Sequence, residues 1–148
     1  MIIKQKLKKS IYLISGNKPE FNDLTLKAIK IISTSDCVVI SKKFSANYLA
    51  KLNKFCKKIY HEEDIVDCTS IELYKKIHLL FNKNNDICHI TNSSSLMLKK
   101  NLDERNFFLK KGINVVLISG IIELIQILND LKTPLTDRRK NSSVTFLE

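Results

Sequence analysis

The sequence predicts an α/β domain: an open, mostly parallel five-stranded sheet with helices on both faces. Two observations carry that expectation. Short apolar runs alternate with amphipathic segments about five times along 148 residues, the order expected of repeated strand–helix units. Apolar residues make up 44% and charged residues 27% of the chain, which suits a globular domain with a sizeable core and leaves out disordered and collagen-like classes.

Ile11–Ser15 (IYLIS) reads as the first strand, broken by the turn residues Gly16-Asn17-Lys18-Pro19. From Asp23 to Ser33, Leu24, Leu26, Ala28, Ile29 and Ile32 follow helical spacing, with Asn22 or Asp23 as the expected cap. Cys37–Ile40 (CVVI) is the second strand. A helix over Ser45–Phe55 is expected to be capped by Ser45, and Lys58–Tyr60 forms a short third strand. Glu62-Glu63-Asp64 is expected in a loop, as a solvated turn rather than a metal site.

Ser70–Asn82 places Ile71, Leu73, Ile77, Leu80 and Phe81 near one helical face, capped by Thr69 or Ser70. Ile87–Thr91 (ICHIT) is the fourth strand. Ser94–Lys111 is helical and ends at Gly112, a favoured helix terminator. Asn114–Ile118 (NVVLI) is the fifth strand, and Ile121–Lys132 an apolar helix stopped by Thr133-Pro134. Arg138–Ser142 reads as a polar linker and Val144–Leu147 as one more strand without a partner. Residues 1–140 are therefore expected to be one domain, and 141–148 the start of a truncated second one.

No apolar run nears the roughly 20 residues that span a bilayer. The basic N-terminus lacks the features of a signal peptide, so no membrane partner and a cytoplasmic address are expected. Cys37, Cys56, Cys68 and Cys88 show no zinc-ligand spacing, and read as free thiols in a reducing compartment. No metal is expected. The net charge is +10, and 22 of the 25 basic residues are Lys. That reads as a solvated Lys-rich surface or as attraction to a polyanion. Few Arg and no interleaved aromatics tell against nucleic acid.

Phosphate-loop, dinucleotide, zinc-protease and serine-hydrolase motifs are missing. His89, between Cys88 and Ile90, reads as a satisfied sheet histidine rather than a ligand. Parallel strands send their C-termini to one edge, so chemistry is sought after Ser15, Ile40, Tyr60, Thr91 and Ile118. Asn92-Ser93-Ser94-Ser95 follows one such strand. Its N–H groups and hydroxyls suit an anion or a cofactor carboxylate, or ordinary helix capping.

Three segments resemble the tetrapyrrole methylases. IYLISGNKPEFNDLTLKAIKIISTSDCVVIS is similar to the family's opening strand, Gly-rich loop and Leu-Thr-Leu-Lys-Ala helix. KKGINVVLISGI, residues 110–121, resembles its Ala-Gly-Ile…Val-Val-Pro-Gly-Val segment. PLTDRRKNSSVTF, residues 134–146, resembles its Pro-Leu-Thr-His-Arg…Ser-Ser-Val-Thr-Phe boundary, and points to the members that act on uroporphyrinogen III.

The resemblance implies the N-terminal domain of that fold, with S-adenosylmethionine as cofactor and a tetrapyrrole as small-molecule substrate. The implied reaction is methyl transfer to carbons of uroporphyrinogen III, in sirohaem and cobalamin precursor synthesis. Cofactor positions fall on Lys18, Asn92, Ser93, Ser94, Met97, Ile122 and Glu123, mostly substituted relative to the family. Ser41 stands where the family has an Asp proposed as proton acceptor, and a hydroxyl with no adjacent base cannot take that role. No catalytic residue is therefore assigned. Lys100 stands for a family Arg, and Lys100 and Arg138 are the substrate-binding positions, able to pair with carboxylates. In the family the cofactor lies between two α/β domains. The substituted loops and the truncation lead to an expectation of impaired activity. The alternative is a catalytically inactive remnant that serves as a partner-binding or dimerising module, since family members commonly pair as homodimers.

Overall fold

The computed structural model describes residues 9–16, 21–41, 44–65, 69–91, 99–120, 130–132 and 134. Along the chain these form β1 (Ser10–Ser15), α1 (Leu26–Thr34), β2 (Cys37–Ile40), α2 (Ala46–Leu52), β3 (Ile59–His61), α3 (Glu62–Ile65), α4 (Ser70–Leu80), β4 (Asp86–Thr91), α5 (Lys99–Lys110) and β5 (Asn114–Ile118). All strand pairings are parallel, in the order β3-β2-β4-β1-β5. The expected α/β sheet is thus present, and it is wholly parallel among the described residues.

β4 and β1 occupy the middle, with Ser10 opposite Asp86 and Ser15 opposite Thr91. Such strands are buried on both faces, which is why they read as apolar runs. Alternation sends Ile14, Val38, Ile40, Cys88 and Ile90 to one face, where Ala28 and Ile32 of α1 and Tyr48 and Leu52 of α2 cover them. Ile11, Leu13, Cys37, Val39 and Ile87 point to the other face, under Leu73, Tyr74 and Ile77 of α4 and Phe108 of α5.

Helix ends show where local rules won and where packing overrode them. α1 starts after Thr25, whose hydroxyl accepts from the Ala28 N–H at 3.2 Å. The expected caps, Asn22 and Asp23, instead lie in a 3-10 turn over Phe21–Asp23. Phe21 and Leu24 are both buried, and the Leu24 N–H donates to the Phe21 carbonyl at 3.1 Å. Burying these two side chains holds the turn and delays the helix. α2 is capped by Ser45 as expected, through the Tyr48 N–H at 3.2 Å. It closes at Leu52 rather than Phe55, since Lys54 and Phe55 donate back only three residues.

Thr69 caps α4, and its N–H donates to the Glu72 carboxylate at 3.4 Å. α5 ends in a Schellman motif on Gly112, whose φ is 72°. The Gly112 N–H donates to Leu109 and the Ile113 N–H to Phe108, while Ile113 and Phe108 pack together. The acidic run 62–64 is not a loop but opens the short helix α3; Glu63 and Asp64 are exposed as expected, while Glu62 turns inward, as described below. The predicted helix over 121–132 and strand over 144–147 lie outside the described residues, apart from 130–132. No helix among the described residues is long and apolar enough to cross a membrane.

Candidate functional site

Because the five strands are parallel, their C-terminal ends share one edge. The chain leaving β1 passes through α1 to β2 on one face, and the chain leaving β4 passes through α5 to β5 on the other. β4 and β1 are neighbours, so their connections diverge and leave a crevice between them. Ligands of open α/β sheets bind at such a strand reversal.

The residues at the base of that crevice are closely fitted. The Gly16 N–H donates to the Thr91 carbonyl at 2.6 Å, and the Ser41 N–H to the Ile90 carbonyl at 3.2 Å. A Cβ on Gly16 would overlap Ile90 Cγ2 and press on the Phe44 ring. A Cβ on Gly120 would overlap the Ser15 carbonyl oxygen. Backbone therefore replaces side chain at both points.

Ser41 is half-buried, and its Oγ is sheltered without a hydrogen-bond partner among the described residues. No base activates this hydroxyl there. Lys100 falls in the first turn of α5, its side chain outside the described residues. Lys18, Asn92, Ser93, Ser94, Met97, Ile122, Glu123 and Arg138 all lie outside the described residues.

Sequence reasoning missed a buried ionic cluster just beneath this edge. His89 is fully buried in β4. Its Nδ1 lies 2.6 Å from Glu104 Oε1 of α5, and its Nε2 lies 2.7 Å from Glu62 Oε1 of α3. Burial pushes the imidazole pKa down, but the charge and hydrogen bond of Glu104, joined by those of Glu62, outweigh it and hold the value at about 9. His89 is the satisfied sheet histidine the sequence suggested, but its partners were not foreseen. One signal existed. Asn101, Glu104 and Phe108 share a helical face that is buried, and a carboxylate on a buried face requires a cation or donor.

Both ring nitrogens are occupied by carboxylates, and no group of three or more His, Cys, Asp or Glu suited to a metal exists among the described residues. Cys37 and Cys88 are buried, and burial pushes their thiols up to about 11 and about 12. That makes both poor nucleophiles at neutral pH. A groove of about 600 Å³ between α4 and α5, lined by Ile71, Tyr74, Phe107 and Lys110 among others, holds none of these strand-edge residues.

Comparison with known proteins bears directly on this geometry. No family model matches the chain. A uroporphyrinogen-III C-methyltransferase of Cyanidium caldarium is 23% identical over 141 residues, 94% of this chain and 56% of the relative. Uroporphyrin-III C-methyltransferase of Thermus thermophilus superposes with a TM-score of 0.73 at 17% identity, over 88% of this chain and 55% of that one. In sequence and in fold, the chain resembles the tetrapyrrole methylases. The Thermus enzyme complexed with S-adenosyl homocysteine gives a TM-score of 0.65 at 19% identity, covering 87% of this chain and 50% of that one. A cobalt precorrin-4 methyltransferase gives 0.70 at 13% identity, over 88% and 53%. The chain thus spans about half the length of the curated relative it matches, and the shared half is the strand-reversal sheet described above.

Proposed function

We propose that this chain binds S-adenosylmethionine at the β1–β4 crevice, as the N-terminal domain of a methyltransferase acting on a carbon of a uroporphyrinogen-III-like tetrapyrrole. Residues 1–140 are that domain in this reading, and 141–148 open the next. The observation that carries it is the divergence of the chain from adjacent β4 and β1, in a sheet that matches a methyltransferase solved with S-adenosyl homocysteine.

Two features fit such a ligand. Gly16 and Gly120, where a side chain would collide with Ile90, Phe44 and Ser15, hold the strand ends closely packed at the base of the crevice. The Ser41 hydroxyl, which has no hydrogen-bond partner among the described residues, lies at the same strand edge. The cofactor supplies an electrophilic methyl group; the substrate carbon is the nucleophile, so no covalent enzyme intermediate is needed. The residues of the chain position the two reactants, and that effect is worth about 7–11 kcal/mol of barrier when complete. Asn92, Ser93 and Ser94 would meet the polar end of the cofactor, Lys18, Met97, Ile122 and Glu123 its other contacts, and Lys100 and Arg138 the acidic arms of the substrate.

Ser41 also favours a second reading. With no base beside its hydroxyl among the described residues, it removes no proton at neutral pH. Turnover is then impaired or lost, and the domain persists as a binding or dimerising module. Calorimetric titration of the full chain with S-adenosylmethionine tests the first step, and binding is expected. No heat at millimolar cofactor removes the ligand assignment. Methyl transfer to uroporphyrinogen III, followed by mass, then separates the readings: product supports the enzyme, and binding without product supports the inactive module.

A further inference from the structure

The buried ionic cluster has no part in the methyl-transfer reading. A carboxylate only accepts hydrogen bonds, so an imidazole held between two ionised carboxylates must carry a proton on each nitrogen. Here Nδ1 meets Glu104 at 2.6 Å and Nε2 meets Glu62 at 2.7 Å, the short distances of charge-assisted bonds. The three residues are far apart in sequence and join three elements. Glu62 follows directly on the last residue of β3, His89 lies two residues before the end of β4, and Glu104 sits in mid-α5.

We propose that His89, Glu62 and Glu104 form a proton-held lock, in which a doubly protonated imidazole fastens α3 and α5 to the middle of the sheet. When the ring loses a proton, one nitrogen faces a carboxylate with no hydrogen between them. Two buried lone-pair groups then repel, and the face carrying α3 and α5 loosens.

Among the described residues, Glu62 and Glu104 are the charged groups that act on the imidazole. Glu62 reaches it from α3 and Glu104 from α5. Tyr74 of α4 lies near both carboxylates, and burial together with the Glu104 charge raises its phenol, which stays neutral. In the adjacent strands the residues in register are Leu13 and Val39, both apolar. Asp103 of α5 faces Tyr74 and is exposed.

The sign of the pH dependence follows. The imidazole pKa is about 9 in the folded chain against 6.5 when unperturbed. The lock's contribution is therefore complete below about pH 6.5 and fades as pH rises through about 9.

Nitrogen-15 NMR of the full chain with labelled histidine reads the lock directly. At pH 7 both His89 ring nitrogens are expected to carry protons, with a midpoint near 9, distinct from His78, which burial and Lys111 push down. A His89 ring with one bare nitrogen at pH 7 overturns the proposal. In chemical denaturation, H89Q is expected to lose most against wild type at pH 6, with the gap closing above pH 9. Parallel pH profiles overturn it. E62Q keeps a hydrogen-bond acceptor while removing a charge at the less buried partner. It should fold, lower the His89 midpoint and speed amide exchange in α3; an unmoved midpoint overturns the role of Glu62. None of these readouts uses S-adenosylmethionine, so a failure of cofactor binding leaves the lock standing, and the reverse.

Discussion

The two faces of the sheet bury similar apolar side chains but treat polar groups differently. Beneath α1 and α2 the polar pairing is neutral. Ser35 Oγ lies 3.0 Å from Cys88 Sγ, and because the Ser35 hydroxyl donates to the Ile31 carbonyl at 2.8 Å, the thiol is the donor to Ser35. On the same face Phe21, Phe44, Tyr48 and Phe55 pack ring against ring. Beneath α4 and α5 a comparable aromatic set, Tyr74, Phe81, Phe107 and Phe108, shares its face with three ionisable residues, His89, Glu62 and Glu104. Apolar packing is indifferent to pH, whereas a buried ionic cluster ties the stability of its face to a proton. One domain therefore has a face whose strength is fixed and a face whose strength is conditional.

The largest effect should come from the conditional face. E104A leaves the His89 charge buried beside one remaining carboxylate. It should cost about 3–5 kcal/mol at pH 7 by urea denaturation, with the loss shrinking above pH 9. On the other face, I32A removes a fully buried side chain and should cost about 2–5 kcal/mol, equally at pH 6 and pH 9. If the two variants showed the same pH slope, the contrast between the faces would be gone.

G120A probes the edge that both faces share. Its new Cβ meets the Ser15 backbone oxygen, which cannot rotate away as a side chain would. A loss of about 1–3 kcal/mol is expected in thermal unfolding, together with weaker cofactor binding if the crevice holds the methyl donor. Smallest is T25A, which removes the α1 cap and should cost about 1 kcal/mol without pH dependence. A pH-dependent T25A would mean that the α1 face also carries a linked proton.

Much of this was legible in the chain. The apolar runs located β1, β2, β4 and β5 to within a residue, because strands of a parallel sheet covered by helices are largely apolar. Ser45 and Gly112 announced their helix ends, because capping is local hydrogen-bond chemistry. The start of α1 was misplaced, since Phe21 and Leu24 are held by tertiary burial rather than by propensity. Of the family-derived site positions, only Ser41 has a described side chain, and its hydroxyl has no hydrogen-bond partner among the described residues.

Sequence by itself determined which segments are strands, which are helices and how they are punctuated, because those depend on the residues within a few positions of each other. It did not determine that β4 lies between β2 and β1, nor that Glu62, 27 residues before His89, and Glu104, 15 after it, meet on one imidazole. Those are long-range outcomes, decided only when right-handed crossovers stack the strands and bring a carboxylate from each of two helices onto the same buried ring.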